Sequence, residues 1–359
     1  MTARGSLGGS LLIAAVALAA GACASAPPAG PGAPAVAAAP AGAPGSRPPA
    51  AAPAPRPLPE SFESEDFVVA FAKPGDTPQS LAKRYLGEES KAWMIEDYTG
   101  LSTFSPGQEV VIPRHPWNLS GVDAAGYQIV PILCYHNLGV ESKGRLLLAV
   151  SKFEEQMRYL KANGYRVISL ADFVEFSHLN RQLPQKSVVL TFDDGYKSFK
   201  TYAYPILKEL GFTATLFVYT DYVGAGRNAF TWPELRDLAA EGFDIEAHSK
   251  SHGDLRRAAG EPDAQYARRM QAELGVPQEL FKKNLGQARP IIAFPYGSWD
   301  ESLLSKLPEY GYIAAFSVRR QGNGSFVRLL AGNRSQIYSE MTLDDFVKNL
   351  NVYQQENLR

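Results

Sequence analysis

From residue 127 onward, short apolar runs alternate with amphipathic stretches. The runs are YQIVPILCYH (127–136), YRVISL (165–170), SVVLTF (187–192), TATLFV (213–218), FDIEAH (243–248), IIAFPYG (291–297) and YIAAFSV (312–318). Near-continuous apolar runs of this length predict strands buried on both faces. Stretches between them, such as FEEQMRYLKANG, PILKELG and TWPELRDLAAEG, carry the apolar spacing of helices. Four runs follow a glycine–aromatic step: Gly164-Tyr165, Gly211-Phe212, Gly242-Phe243 and Gly311-Tyr312. A glycine there is the expected helix C-cap before the chain turns into a strand. Repeated strand–helix units predict an α/β fold with a parallel sheet under helices. Seven or eight in series point to a distorted (β/α)7-8 barrel, with its chemistry where the strands end.

The pattern changes before residue 127. Residues 66–114 open on the apolar DFVVAFA, turn at KPGDT, and continue as PQSLAKRYLG, a second helical stretch and SPGQEVVIP. Asp76 or Thr77 is placed to cap the first helix, so a strand–helix–helix–strand unit is expected. Residues 23–62 are mostly Ala, Pro and Gly, a composition that cannot bury a core and reads as an extended spacer. The first 22 residues hold Arg4, an apolar stretch from Leu11 to Ala20 and then small residues, the pattern of an export signal.

Composition narrows the partners. With 359 residues and 45% hydrophobic content, about two domains plus linkers are affordable. The 36 basic and 37 acidic residues leave a net charge of −1, which argues against a nucleic-acid partner but not against a neutral polysaccharide. Only Cys23 and Cys134 are present, so the core must carry the fold if Cys23 is modified.

Three strand ends carry candidate chemistry. TFDDG sets Asp193 and Asp194 side by side after a buried run, an expensive place for two carboxylates. HSKSH follows FDIEA and brings His248 and His252 together on one turn. Two histidines and a carboxylate make the ligand set of a catalytic zinc with a position left for water. The third end is FPYG, where the turn at Pro295-Tyr296-Gly297 can aim backbone N–H groups into the site, with Trp299 just beyond.

These motifs resemble those of the NodB-type polysaccharide deacetylases, carbohydrate esterase family 4, over residues 127–352. The resemblance implies a metal-dependent N-deacetylase of an N-acetylglucosamine polymer, peptidoglycan or exopolysaccharide, releasing acetate. It implies Asp193 as the base and Asp194, His248 and His252 as ligands of a divalent metal, with Zn2+ expected. The metal would neutralise one carboxylate so that its neighbour stays ionised. Tyr296 would supply the oxyanion N–H, with Pro295, Gly297 and Trp299 lining the substrate.

Two departures from the family pattern follow. Ala293 stands where an arginine usually supports the base, leaving Arg289, Arg328 and Arg334 as candidates. No histidine follows His252, and LCYHNL resembles the element of the permuted exopolysaccharide branch that moves the acid to the start of the domain. His136 is therefore expected as the general acid, with a pKa near or above neutrality.

Residues 63–116 resemble a LysM module, which implies binding to N-acetylglucosamine chains. LAAGAC resembles a lipoprotein processing site, which implies a lipid anchor on Cys23, export, and a place in the cell envelope. An O-acetyl esterase acting on a decorated glycan and a non-catalytic wall-binding protein are the competing readings. The intact TFDDG and HSKSH motifs count against the second of these.

Overall fold

The structure, a computed structural model, describes residues 60–356. The expected signal segment, Cys23 and most of the spacer lie outside the described residues. Three apolar clusters organise the rest, a small one in residues 68–112 and one on each face of a parallel sheet.

The smaller unit has β1 (Ser61–Glu63), β2 (Phe67–Phe71), α1 (Pro78–Leu86), α2 (Ala92–Thr99) and β3 (Glu109–Pro113). Strand β2 pairs antiparallel with both β1 and β3. Strand β1 is an addition to the expected four elements, and it begins within residues read as spacer. Thr77, rather than Asp76, caps α1: its hydroxyl accepts from Ser80 N while Ser80 Oγ accepts from Thr77 N. Asp76 instead braces the turn, accepting from Lys73 N at 2.8 Å and from both terminal nitrogens of Arg84.

The main sheet uses β4 (Ile132–Tyr135), β5 (Arg166–Val167), β6 (Ser187–Phe192), β7 (Thr215–Val218), β8 (Asp244–Ala247), β9 (Ile291–Ala293), β10 (Ala314–Phe316) and β11 (Ser335–Gln336). Its order is β10-β9-β8-β7-β6-β4-β11, all parallel, with β5 added beside the start of β6. The ring is drawn closed by residues 332–336. Gly332 exchanges backbone hydrogen bonds with Ala315 and Ser317 next to β10, and three residues later Ser335 pairs with Leu133 of β4.

Each predicted strand run contains a strand, with two adjustments. YRVISL supplies only two strand residues, because Ser169 caps a helix, α3 (Leu170–Ser177). The closing strand β11 comes from SQ, which has no apolar run to announce it.

Strand alternation sorts the side chains. Val188, Leu190 and Phe192 of β6 face the outer helices, while Val189, Thr191 and Asp193 face the lumen. Leu170, Phe173 and Phe176 of α3 plug the lumen at the N-terminal ends of the strands, against Val189, Phe217 and Phe316. The small unit docks at the same pole. Arg166 of β5 pairs with Glu96 and Asp97 of α2, and Asp97 also accepts from Gln185 N at 2.8 Å. The opposite pole, at the strand C-termini, is left for the site.

Candidate active site

Asp193 follows β6 and is buried at 2% exposure. A buried carboxylate needs a partner. It has one in Arg334, itself fully buried, whose Nη1 and Nη2 donate to Oδ1 at 2.6 Å and Oδ2 at 2.8 Å. The guanidinium is fixed further by donation to Ser317 O at 3.0 Å and Thr191 Oγ1 at 3.2 Å. Burial would raise the Asp193 pKa, but the positive neighbours, led by Arg334, bring it down to about 2. The three candidate arginines are thereby separated. Arg328 pairs with Glu301 on the surface, Arg289 lies near Glu246 deeper in the barrel, and Arg334 holds the acid. The thiol of Cys134, two residues before His136 on the neighbouring strand, lies 3.4 Å from Asp193 Oδ2.

Asp194 turns the other way. Its backbone is left-handed, at φ 74°, and so are those of Ser249 (69°), His252 (62°) and Tyr296 (59°). Among the described residues only Leu179 and Lys186 share that conformation without being glycine. Non-glycine residues in this region are strained by about 1–3 kcal/mol each, and such strain gathers at functional sites. Here it turns one carboxylate and one imidazole toward a common point.

His252 Nε2 lies 3.1 Å and His248 Nε2 3.5 Å from Asp194 Oδ1. His248 Nδ1 is 2.8 Å from the Ala293 carbonyl, which fixes Nδ1 as the protonated nitrogen and leaves the Nε2 lone pair facing Asp194. Asp194 Oδ1 is buried and has no hydrogen-bond partner among the described residues. An orphaned carboxylate oxygen beside two imidazoles, with ligand atoms within 4.8 Å of one another, fits a divalent cation. Burial would raise the Asp194 pKa, but the two imidazoles hold it well below the usual carboxylate range. In return Asp194 raises the His252 pKa against the lowering effect of burial.

His136 follows β4 and lies beside Asp193 at the same pole, as expected. Its Nδ1 is buried without a partner, and its Nε2 is 3.5 Å from the side-chain nitrogen of Gln336, which Tyr338 anchors by a 2.8 Å hydrogen bond. Its expected pKa is corrected: burial lowers it, and the pull of Asp193 and Asp194 does not overcome that.

Pro295 is buried, while Tyr296 is 66% exposed and packs edge-on to His252. Gly297 permits this turn, because a Cβ there would stand 2.4 Å from Val318 Cγ2 and 2.6 Å from its backbone nitrogen. Trp299 lines a basin with Asp254, Arg257 and Asp300. Sequence reasoning missed the tyrosines around His252. Tyr219 lies 5.2 Å from its ring, Tyr222 stacks on Tyr219, and Tyr196 meets Tyr222 edge-on. Single aromatic residues in loops carry no sequence signal for such a cluster.

Residues 180–315 match the family model described as polysaccharide deacetylase. Among curated proteins, the poly-beta-1,6-N-acetyl-D-glucosamine N-deacetylase of Escherichia coli (strain K12) is 25% identical over 295 residues, covering 71% of this chain and 43% of that protein. The Staphylococcus aureus (strain MSSA476) protein of the same name is 26% identical over 180 residues, covering 48% of this chain and 61% of that protein. The chain thus spans about half the length of the curated relatives it matches. Among solved structures, the Streptococcus pyogenes deacetylase PplD in complex with acetate superposes with a TM-score of 0.56 at 26% identity, covering 62% of this chain and 98% of that one.

Proposed function

We propose that the protein hydrolyses the N-acetyl groups of a poly-N-acetylglucosamine chain, releasing acetate. One observation carries this reading above all: two adjacent carboxylates are given separate partners. Arg334 takes Asp193, and two imidazoles meet Asp194 at an oxygen that nothing else satisfies. A divalent ion held by Asp194, His248 and His252, zinc by the chemistry of the donors, would supply Lewis acidity and a water of lowered pKa.

The chain's own residues supply the rest. Asp193 is ionised at neutral pH and accepts the proton of the attacking water. The backbone N–H of Tyr296, presented by its left-handed turn, faces the carbonyl oxygen as it gains charge. His136 protonates the departing amine. Because burial lowers its pKa, the proton it delivers is one received within the catalytic cycle, and Asp193 is the nearby source. The names of the relatives favour an exopolysaccharide over peptidoglycan as substrate.

The remaining parts of the reading concern delivery. The strand–helix–helix–strand unit is proposed as a LysM-like glycan-binding module, and Cys23 as a lipid anchor holding the protein in the cell envelope. Acetate release from β-1,6-linked N-acetylglucosamine oligomers and from peptidoglycan, measured side by side, tests the substrate. Release from neither would remove the hydrolase reading.

A further inference from the structure

Two clefts of similar size differ in how their polar groups are used. One, about 330 Å³, lies where α2 meets the barrel. Its groups are already engaged: Asp97 by Arg166 and Gln185 N, Gln182 by the backbone N–H groups of Trp117 and Asn118, and Asp123 by Tyr353. That cleft is a joint. The other, about 360 Å³, has Tyr196 on its wall, which meets Tyr222 of the tyrosine cluster beside His252. Asn137 directly follows His136, and Tyr196 stands two residues after Asp194. Arg227 and Asn228 form the far wall on a loop tied down by the Asn228 carbonyl, which accepts from Lys197 N at 2.8 Å, and by pairing of Ala229 with Tyr196.

In this second cleft the side chains of Asn137, Tyr202, Arg227 and Asn228 have no hydrogen-bond partner among the described residues. Lys197 is neutralised by Glu234 at 2.7 Å, whereas Arg227 faces no carboxylate within ion-pair distance. Amide groups, phenols and one unpaired guanidinium around a space at the low end of ligand-pocket size suit a single sugar ring. Through Tyr196 the cleft joins the tyrosines packed around His252, so a polymer with one unit at the site can extend into it.

We propose that this cleft is the subsite for the sugar adjacent to the unit being deacetylated. Arg227 makes it accept an N-acetylated sugar and reject a protonated glucosamine. The proposal rests on the deacetylase reading. Hydrolysis of an acetamide releases acetate and leaves a primary amine, which takes up a proton at neutral pH. A neighbour already processed would therefore set its ammonium against the Arg227 guanidinium. A like-charge contact across a solvent-exposed cleft slows the second of two adjacent reactions about three- to tenfold. The products are then spaced glucosamines, not runs of them.

The test uses a fully acetylated β-1,6-N-acetylglucosamine oligomer and two versions of it, each with one glucosamine on one or the other side of the central unit. The ratio of kcat/KM for removal of the central acetyl group, acetylated over pre-deacetylated, is measured for the native protein, Arg227→Gln and Arg227→Glu. The expected result is a ratio above one for one of the two positional isomers in the native protein. It should shrink in Arg227→Gln and fall by a further three- to tenfold in Arg227→Glu. The same ratio in all three proteins would overturn the subsite while leaving the deacetylase reading standing. No acetate released from any oligomer by the native protein would instead overturn the deacetylase reading, and the subsite with it.

Discussion

Two neighbouring layers of one barrel lumen treat buried charge in opposite ways. At the C-terminal pole Asp193 is kept ionised by a buried arginine that meets both of its oxygens. One side-chain layer below the site, Glu246 projects from β8 two residues before His248, on the same face of the strand. It accepts from Ile291 N at 3.0 Å, and Arg289 is close enough to favour its charge but forms no ion pair with it. Burial dominates there and pushes the Glu246 pKa up to about 8. One acid is held charged for chemistry, and the other is held neutral as part of the packing. The difference lies in the partner, since both carboxylates are buried to nearly the same degree.

The sharpest way to break this comparison is to remove the partner. Arg334→Leu leaves Asp193 buried and unpaired, which should cost about 3–5 kcal/mol of stability. Chemical denaturation checks it, and Asp193→Asn added to Arg334→Leu should recover much of the loss. A change in the acid itself comes next. Asp193→Asn should keep the fold and its bound metal and lose about 10²–10⁴-fold in turnover, whereas Asp194→Asn should lose metal first. Metal analysis alongside initial rates separates the two.

Glu246 gives a pH signature of intermediate size. Its folded pKa of about 8 lies above the ordinary 4.5, so the folded state holds a proton that the unfolded chain releases between those values. The stability it permits is fully present below about pH 4.5 and is lost as pH rises through about 8, by a few kcal/mol at most. Glu246→Gln keeps an acceptor for Ile291 N and has no proton to lose. Its stability should therefore exceed that of the native protein above pH 7, with a flatter profile, as thermal melts from pH 5 to 9 would show. The smallest effect is expected at the docked unit. Asp97→Ala removes an acceptor shared by Arg166 and Gln185 N and should cost about 1 kcal/mol, since these groups are partly solvated. It should leave the rate on short oligomers unchanged, because the joint lies at the opposite pole from Asp193.

Much of this was legible in sequence because it follows from periodicity. Buried strands declare themselves through uninterrupted apolar runs, and TFDDG, HSKSH and FPYG sit at strand ends once those runs are assigned. The closing strand was not legible. Ser335 and Gln336 pair by backbone alone, so nothing apolar marks them, and the arginine beside them was one of three candidates until the ring closed. The lowered pKa of His136 was also beyond reach. Proximity to carboxylates suggests a rise, and only the enclosing structure shows that desolvation wins. Arg227 lies in a loop of mixed composition, where an unpaired charge looks like any other surface residue.

The central claim is that Asp194, His248 and His252 hold a metal while Asp193 does separate work. Acetate release from a β-1,6-N-acetylglucosamine oligomer, followed during zinc titration of chelated native protein and of chelated Asp193→Asn, tests it most directly. The account predicts that native activity is absent after chelation and returns with one equivalent of zinc, while Asp193→Asn takes up the same equivalent and stays inactive. Full activity in the chelated native protein, or native-like activity in zinc-loaded Asp193→Asn, would contradict it.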